Sequence, residues 1–146
     1  SGNLVISLLV AAVILYGAAG VGGFDGPVIW GIFGVVFLTN LAREMVKDCM
    51  DMESDEGRRN TLPMKSGKER VRMASYVVIM AALVCLYVPF WKGPFRFGQL
   101  AIQLPAILTL ITLNGPLYQG KDARGAGRIR IAMLLGLLSF IVACWI

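Results

Sequence analysis

The chain of 146 residues contains no histidine. That absence excludes imidazole acid/base catalysis, His-based nucleophile triads and His-ligated zinc. Charge is also scarce, at 16% of residues against 57% apolar, with a mean hydropathy of +0.70. An ordinary soluble domain carries about a quarter charged residues, so this chain must bury its apolar surface in lipid. Cys49, Cys85 and Cys144 are odd in number and form no C-x-x-C pair, which argues against a disulfide framework or a thiolate metal site. They read as small apolar filler. Glycine-rich nucleotide fingerprints are missing, and Gly125-Ala126-Gly127 reads as a short flexible loop. The start, Ser1-Gly2-Asn3, has no basic region ahead of its apolar run, so it is not read as a signal peptide. The expectation is a part of a longer protein.

What is present is five uncharged windows: Leu4–Ala19, Val28–Ala42, Met73–Trp91, Phe97–Tyr118 and Ile131–Ile146. Each is close to the ~20 residues that a membrane helix needs, and the flanks can supply the remainder. The runs are continuously apolar rather than alternating, which disfavours membrane strands. The fold class expected is therefore all-α, a polytopic transmembrane helix bundle forming a single membrane domain over residues 1–146. Breaks are marked by Gly20, Gly22, Gly23 and Gly26-Pro27, then by Lys92-Gly93-Pro94. A third set is Gly115-Pro116 with Gly120, Gly125 and Gly127. Pro27 suits the first turn of a helix, and Pro105 predicts a kink in the fourth window.

Loop charge predicts the orientation. Twelve of the 14 Lys and Arg lie in the segments 43–72 and 121–130, and Lys92 and Arg96 alone lie between the third and fourth windows. The positive-inside rule places the two basic segments in the cytoplasm, and the membrane expected is the cell membrane. The stretch Lys65-Ser66-Gly67-Lys68-Glu69-Arg70-Val71-Arg72 has no interleaved aromatics. It reads as the cytoplasmic flank of a membrane helix, with no nucleic acid partner.

Seven of the nine acids fall between Glu44 and Glu69. With no helix breaker between Val28 and Glu56, the second helix is expected to run out of the membrane through this segment. At about 100° per residue, Asn40, Glu44, Asp48, Asp51 and Asp55 share an arc of roughly 80°. Carboxylates on one stripe repel one another, so a cationic group must offset them. Neighbouring Arg and Lys side chains could do so, as on any solvated helix face. A bound Mg²⁺ could also do so, since it takes one or two carboxylates and keeps water and phosphate oxygens. Arg43, Lys47, Arg58 and Arg59 would suit the phosphates. Among the intramembrane polar groups, Gln99, Gln103, Thr109, Thr112 and Asn114 are expected to make helix–helix hydrogen bonds more than to line a cavity.

The run Arg43-Glu44-x-x-Lys47-Asp48-x-x-Asp51-x-Glu53-Ser54-Asp55, followed by Thr61-Leu62-Pro63, resembles the second aspartate-rich motif of the UbiA-type intramembrane prenyltransferases. The similarity is greatest to the branch of digeranylgeranylglyceryl phosphate synthase and chlorophyll synthase. Gly2-Asn3 and Lys65-Ser66-Gly67-Lys68-Glu69 are similar as well. Ser54 and Met50 depart from the usual pattern without removing an acid that the motif places on the metal. The resemblance implies a nine-helix bundle whose C-terminal part corresponds to the five spans, with the motif at residues 43–63. It implies that Asp48, Asp51 and Asp55 hold Mg²⁺ on the diphosphate of a polyprenyl donor. Lys47, Arg43 and Arg58 would contact substrate phosphate, and Asn40 and Glu44 would face the acceptor or water around the metal.

The function so implied is Mg²⁺-dependent transfer of a polyprenyl group to a hydroxyl of a membrane-associated acceptor. The donor group expected is geranylgeranyl. The acceptor is a geranylgeranylglyceryl phosphate lipid ahead of a quinone precursor. Because the first aspartate-rich motif would lie on a missing N-terminal half, the chain by itself is expected to be inactive. The alternative is a non-enzymatic membrane subunit or transporter fragment with an acidic docking loop.

Overall fold

A computed structural model describes residues 2–23, 26–52 and 61–146 of the chain. All regular elements among them are helical. They are α1 (Gly2–Gly20), α2 (Pro27–Asp51), α3 (Leu62–Ser66), α4 (Lys68–Trp91), a 3-10 segment (Phe97–Gln103), α5 (Leu104–Ile111), α6 (Asn114–Tyr118) and α7 (Asp122–Trp145). Five stretches are long and apolar enough to cross a bilayer: α1, α2, α4, Phe97–Tyr118 and α7. The protein is an integral membrane protein. Its large apolar side chains point outward as often as inward. Leu9, Val13, Met73, Val84 and Leu137 are all more than half exposed, which in lipid carries no penalty.

α2 lies at the centre, with α1, α4 and α7 packed around it. Pro27 occupies its first turn, where the missing N–H costs nothing. Two glycines let α4 approach closely. A Cβ on Gly31 would lie 3.1 Å from Pro89 Cδ, and one on Gly34 would lie 3.2 Å from Cys85 Sγ. Small residues at such crossings give backbone proximity, the main source of helix association in lipid. The core joins Ala42 and Val46 of α2, Ile79 of α4, Leu110 of α5, Leu113, Leu117 of α6, and Ile129 and Ala132 of α7. A smaller cluster, Met45, Cys49 and Val71, ties the end of α2 to the start of α4.

Three expectations need correction. The fourth window is not one kinked helix but three pieces, a 3-10 segment, α5 and α6. Pro105, in the first turn of α5, marks the first junction as expected. Gly115-Pro116, expected in the break between the fourth and fifth windows, lies inside α6, and the chain turns earlier at Thr112 and Leu113. Gly125-Ala126-Gly127 is not a loop. It belongs to α7, which starts at Asp122, well before the uncharged window at Ile131. Packing overrides the propensity of glycine here, because a Cβ on Gly125 would lie 2.9 Å from Leu117 Cδ2. The turn before α7 uses Gly120 alone, at φ +72°.

The threonines also differ from expectation. Thr109 donates to the Pro105 carbonyl at 2.7 Å and Thr112 to the Leu108 carbonyl at 2.8 Å, so both bond back to their own segment. The two glutamines do bridge helices. Gln99 Nε2 donates to the Ala143 carbonyl at 3.1 Å and Gln103 Nε2 to the Gly136 carbonyl at 3.5 Å, both on α7.

Candidate functional site

The acidic stripe is carried by the last three turns of α2, and α1 runs antiparallel beside it. Two hydrogen bonds connect the two helices, and a third within α1 links them into a ladder. Asn40 Nδ2 donates to Ser7 Oγ at 3.3 Å, Ser7 Oγ donates to the Asn3 carbonyl at 2.7 Å, and Asn3 Nδ2 donates to Asp48 Oδ2 at 2.7 Å. Ser7 and Asn40 are buried and Asp48 is half-buried. The ladder therefore fixes one oxygen of Asp48 and leaves the other free of the amide. In lipid such bonds hold helices in register, because the alternative is an unpaired polar group in hydrocarbon.

The neighbouring residues divide by face. Glu44 is buried and accepts from Arg43 Nη1 at 2.9 Å. Arg43 is half-buried, Lys47 is exposed, and Asp51 is half-buried as the last residue of α2. Asn40, Glu44, Asp48 and Asp51 are thus carried on one helix. Asp55 and Arg58 lie outside the described residues, as does the expected helical extension beyond Met52. Thr61-Leu62-Pro63 opens the short α3, with Pro63 in its first turn and wholly buried.

Among the described residues, no three His, Cys, Asp or Glu side chains converge as a metal cage. The donor set still fits Mg²⁺, which uses one or two carboxylates and fills its octahedron with water and phosphate oxygens. Asp48 and Asp51 are three residues apart, and the Asn3 amide orients Asp48 as an outer partner orients a metal ligand.

Toward the membrane interior the same face of α2 borders a cavity of about 590 Å³. α1, α2, α4, α5 and α7 all contribute to its wall. The wall is mostly apolar, formed by side chains such as Val13, Ile32, Val36, Leu110, Met133 and Phe140. Its polar members are Thr39, Asn40, Arg43, Gln103 and Arg130. Gln103 is fully buried, and its Oε1 has no partner among the described residues. So the reading of Gln103 as a helix bridge and its reading as cavity wall both hold.

Sequence reasoning assigned no role here to Ser7 or Arg130, and gave Asn3 only a place in a familiar run. Arg130 was one more basic residue beside an apolar window. Its contribution to the cavity depends on α7 starting at Asp122. A second ion pair was also not foreseen: Arg72 Nε and Nη2 donate to Asp122 Oδ1 and Oδ2, both at 2.7 Å. The pair joins the starts of α4 and α7. Like-signed loop counts conceal it, since Asp122 is the one acid in an otherwise basic segment.

Comparison with known proteins shows the family to which the sequence is similar. Residues 1–127 match the UbiA prenyltransferase family. The digeranylgeranylglyceryl phosphate synthase of Methanopyrus kandleri is 34% identical over 145 residues, covering 97% of this chain and 53% of that protein. The proteins of the same name from Pyrococcus horikoshii and Methanosarcina mazei are each 30% identical, covering 97% and 96% of this chain and 50% and 49% of theirs. The chain thus spans about half the length of these relatives. No solved structure matches it.

Proposed function

This chain belongs to the UbiA prenyltransferase family, and from that premise we propose that it forms the second-motif part of a Mg²⁺-dependent membrane prenyltransferase. The reaction we assign is transfer of a geranylgeranyl group from its diphosphate to a hydroxyl of a geranylgeranylglyceryl phosphate lipid. The first acidic motif lies in the part of the protein outside this sequence, so 1–146 by itself is inactive. The acidic end of α2 faces the cytoplasm at the cell membrane. One observation carries the reading: a pair of carboxylates and an apolar cavity are borne by the same helix, with Arg43 between them.

Asp48, Asp51 and Asp55 would hold Mg²⁺ against the donor diphosphate. When bound, the metal supplies charge neutralisation to the departing diphosphate. The remaining work falls to the chain. Asn3 holds Asp48 in one rotamer, and the exposed Lys47 places a positive charge beside the phosphates. Val13, Ile32, Val36 and Phe140 enclose the prenyl tail and exclude water from the electron-poor allylic carbon. As the carbon–diphosphate bond breaks, the acceptor hydroxyl forms the new carbon–oxygen bond. Diphosphate leaves with the electron pair, and the hydroxyl proton departs to solvent at the cavity mouth.

The test is an assay of the intact gene product with geranylgeranyl diphosphate, Mg²⁺ and the glyceryl phosphate lipid. Asp51→Asn and Asp55→Asn are each expected to lower kcat/KM by about 100-fold or more. Wild-type turnover in both variants would overturn the metal role.

A further inference from the structure

The cavity holds more positive charge than the carboxylate end of α2 accounts for. Arg43 from α2 and Arg130 from α7 are both among the residues that line it, Arg43 half-buried and Arg130 exposed. Arg43 spends one nitrogen, Nη1, on Glu44. Arg130 has no carboxylate partner among the described residues. Charged side chains in membrane proteins commonly border a cavity or pair with a partner, and two arginines bordering one space repel each other unless an anion lies between them. Planar guanidinium donors match phosphate oxygens two at a time. Arg43 lies five residues before Asp48, about 7.5 Å nearer the membrane interior along the helix axis. That offset leaves room for a second anion beside a diphosphate held at Asp48 and Asp51.

We propose that Arg43 and Arg130 form a second anion site, which binds the phosphate monoester of the acceptor lipid and selects phosphorylated over unphosphorylated hydroxyl acceptors. The inference rests on the prenyl-transfer reading and deepens it by giving the two phosphate-bearing substrates separate sites. In a glyceryl phosphate the reacting hydroxyl lies two carbons from the phosphate. Anchoring the phosphate at the arginines holds that hydroxyl beside the donor's allylic carbon. Arg130 is then a specificity-determining residue that acts on the acceptor alone.

The experiment uses the intact gene product, with Arg130→Gln and Arg130→Lys. Steady-state kinetics are measured against geranylgeranylglyceryl phosphate, against the same lipid lacking its phosphate, and against the donor. R130Q is expected to raise KM for the phosphorylated acceptor at least tenfold, leave the donor KM within twofold, and erase the preference for the phosphorylated acceptor. R130K is expected to restore part of that preference. An unchanged acceptor KM would overturn the proposal, as expected of a side chain that only reaches toward the headgroups. A rise in donor KM instead would assign Arg130 to the diphosphate and also overturn it. A second measurement is thermal stabilisation of the purified protein by the phosphate monoester lipid, its dephosphorylated alcohol and an anionic phosphodiester lipid. Equal stabilisation by monoester and phosphodiester would mean a bulk-lipid contact and defeat the idea. A monoester-specific shift lost in R130Q supports the site even where no prenyl transfer is detected, which would sink only the transfer reading.

Discussion

Among the described residues, Asp48 is held by a neutral amide rather than by a cation. This matters for its chemistry, because an amide N–H orients the carboxylate without cancelling its charge. Asn3→Ala should therefore leave the intact protein folded and lower its prenyl-transfer turnover by about 10- to 100-fold, the range typical of partners that orient metal ligands. Circular dichroism and a turnover assay on the same preparation check this, and wild-type turnover would remove Asn3 from the site. The placement of Asp48 and Asp51 on one helix was legible in the sequence, because an unbroken run with three-residue spacing puts both within one turn of α2. Asn3 and Ser7 were not. Their roles depend on α1 lying antiparallel along α2, a tertiary fact that no spacing within either helix encodes. Gln103 stood between the two, since its polarity inside a span marked it but its two simultaneous contacts did not.

At the scale of elements, uncharged length located the five spans, because lipid demands about 20 apolar residues whatever the packing. Glycine and proline were weaker guides. The same residue type ends a helix at Gly120, admits a neighbour at Gly125 and is merely tolerated at Gly127. Only the surroundings distinguish these cases. Gly93 is the tightest, for a Cβ there would overlap the Pro89 carbonyl oxygen and lie 2.6 Å from Val28 Cγ2. Gly93→Ala is expected to cost about 1–3 kcal/mol by overpacking. Gly127→Ala, in the interior of α7 with nothing within 4 Å of the added Cβ, should gain about 0.5–1 kcal/mol. Thermal unfolding of the two variants in detergent should shift in opposite directions, and a shared direction would contradict the packing described for the end of α4.

For the whole molecule, the charge asymmetry between loops predicts the orientation. A reporter inserted after Gly67 should read as cytoplasmic, and an external signal would reverse the placement of the acidic end of α2. The same basic loops contain a connection of another kind. Most of their described lysines and arginines are exposed, where raising the salt from 0.1 to 1 M shortens the Debye length from about 10 to about 3 Å. Arg72 and Asp122 meet at 2.7 Å with little solvent access, at 18% and 9% side-chain exposure. Brine that screens the exposed charges thus leaves the clasp between the third and fifth crossings fastened.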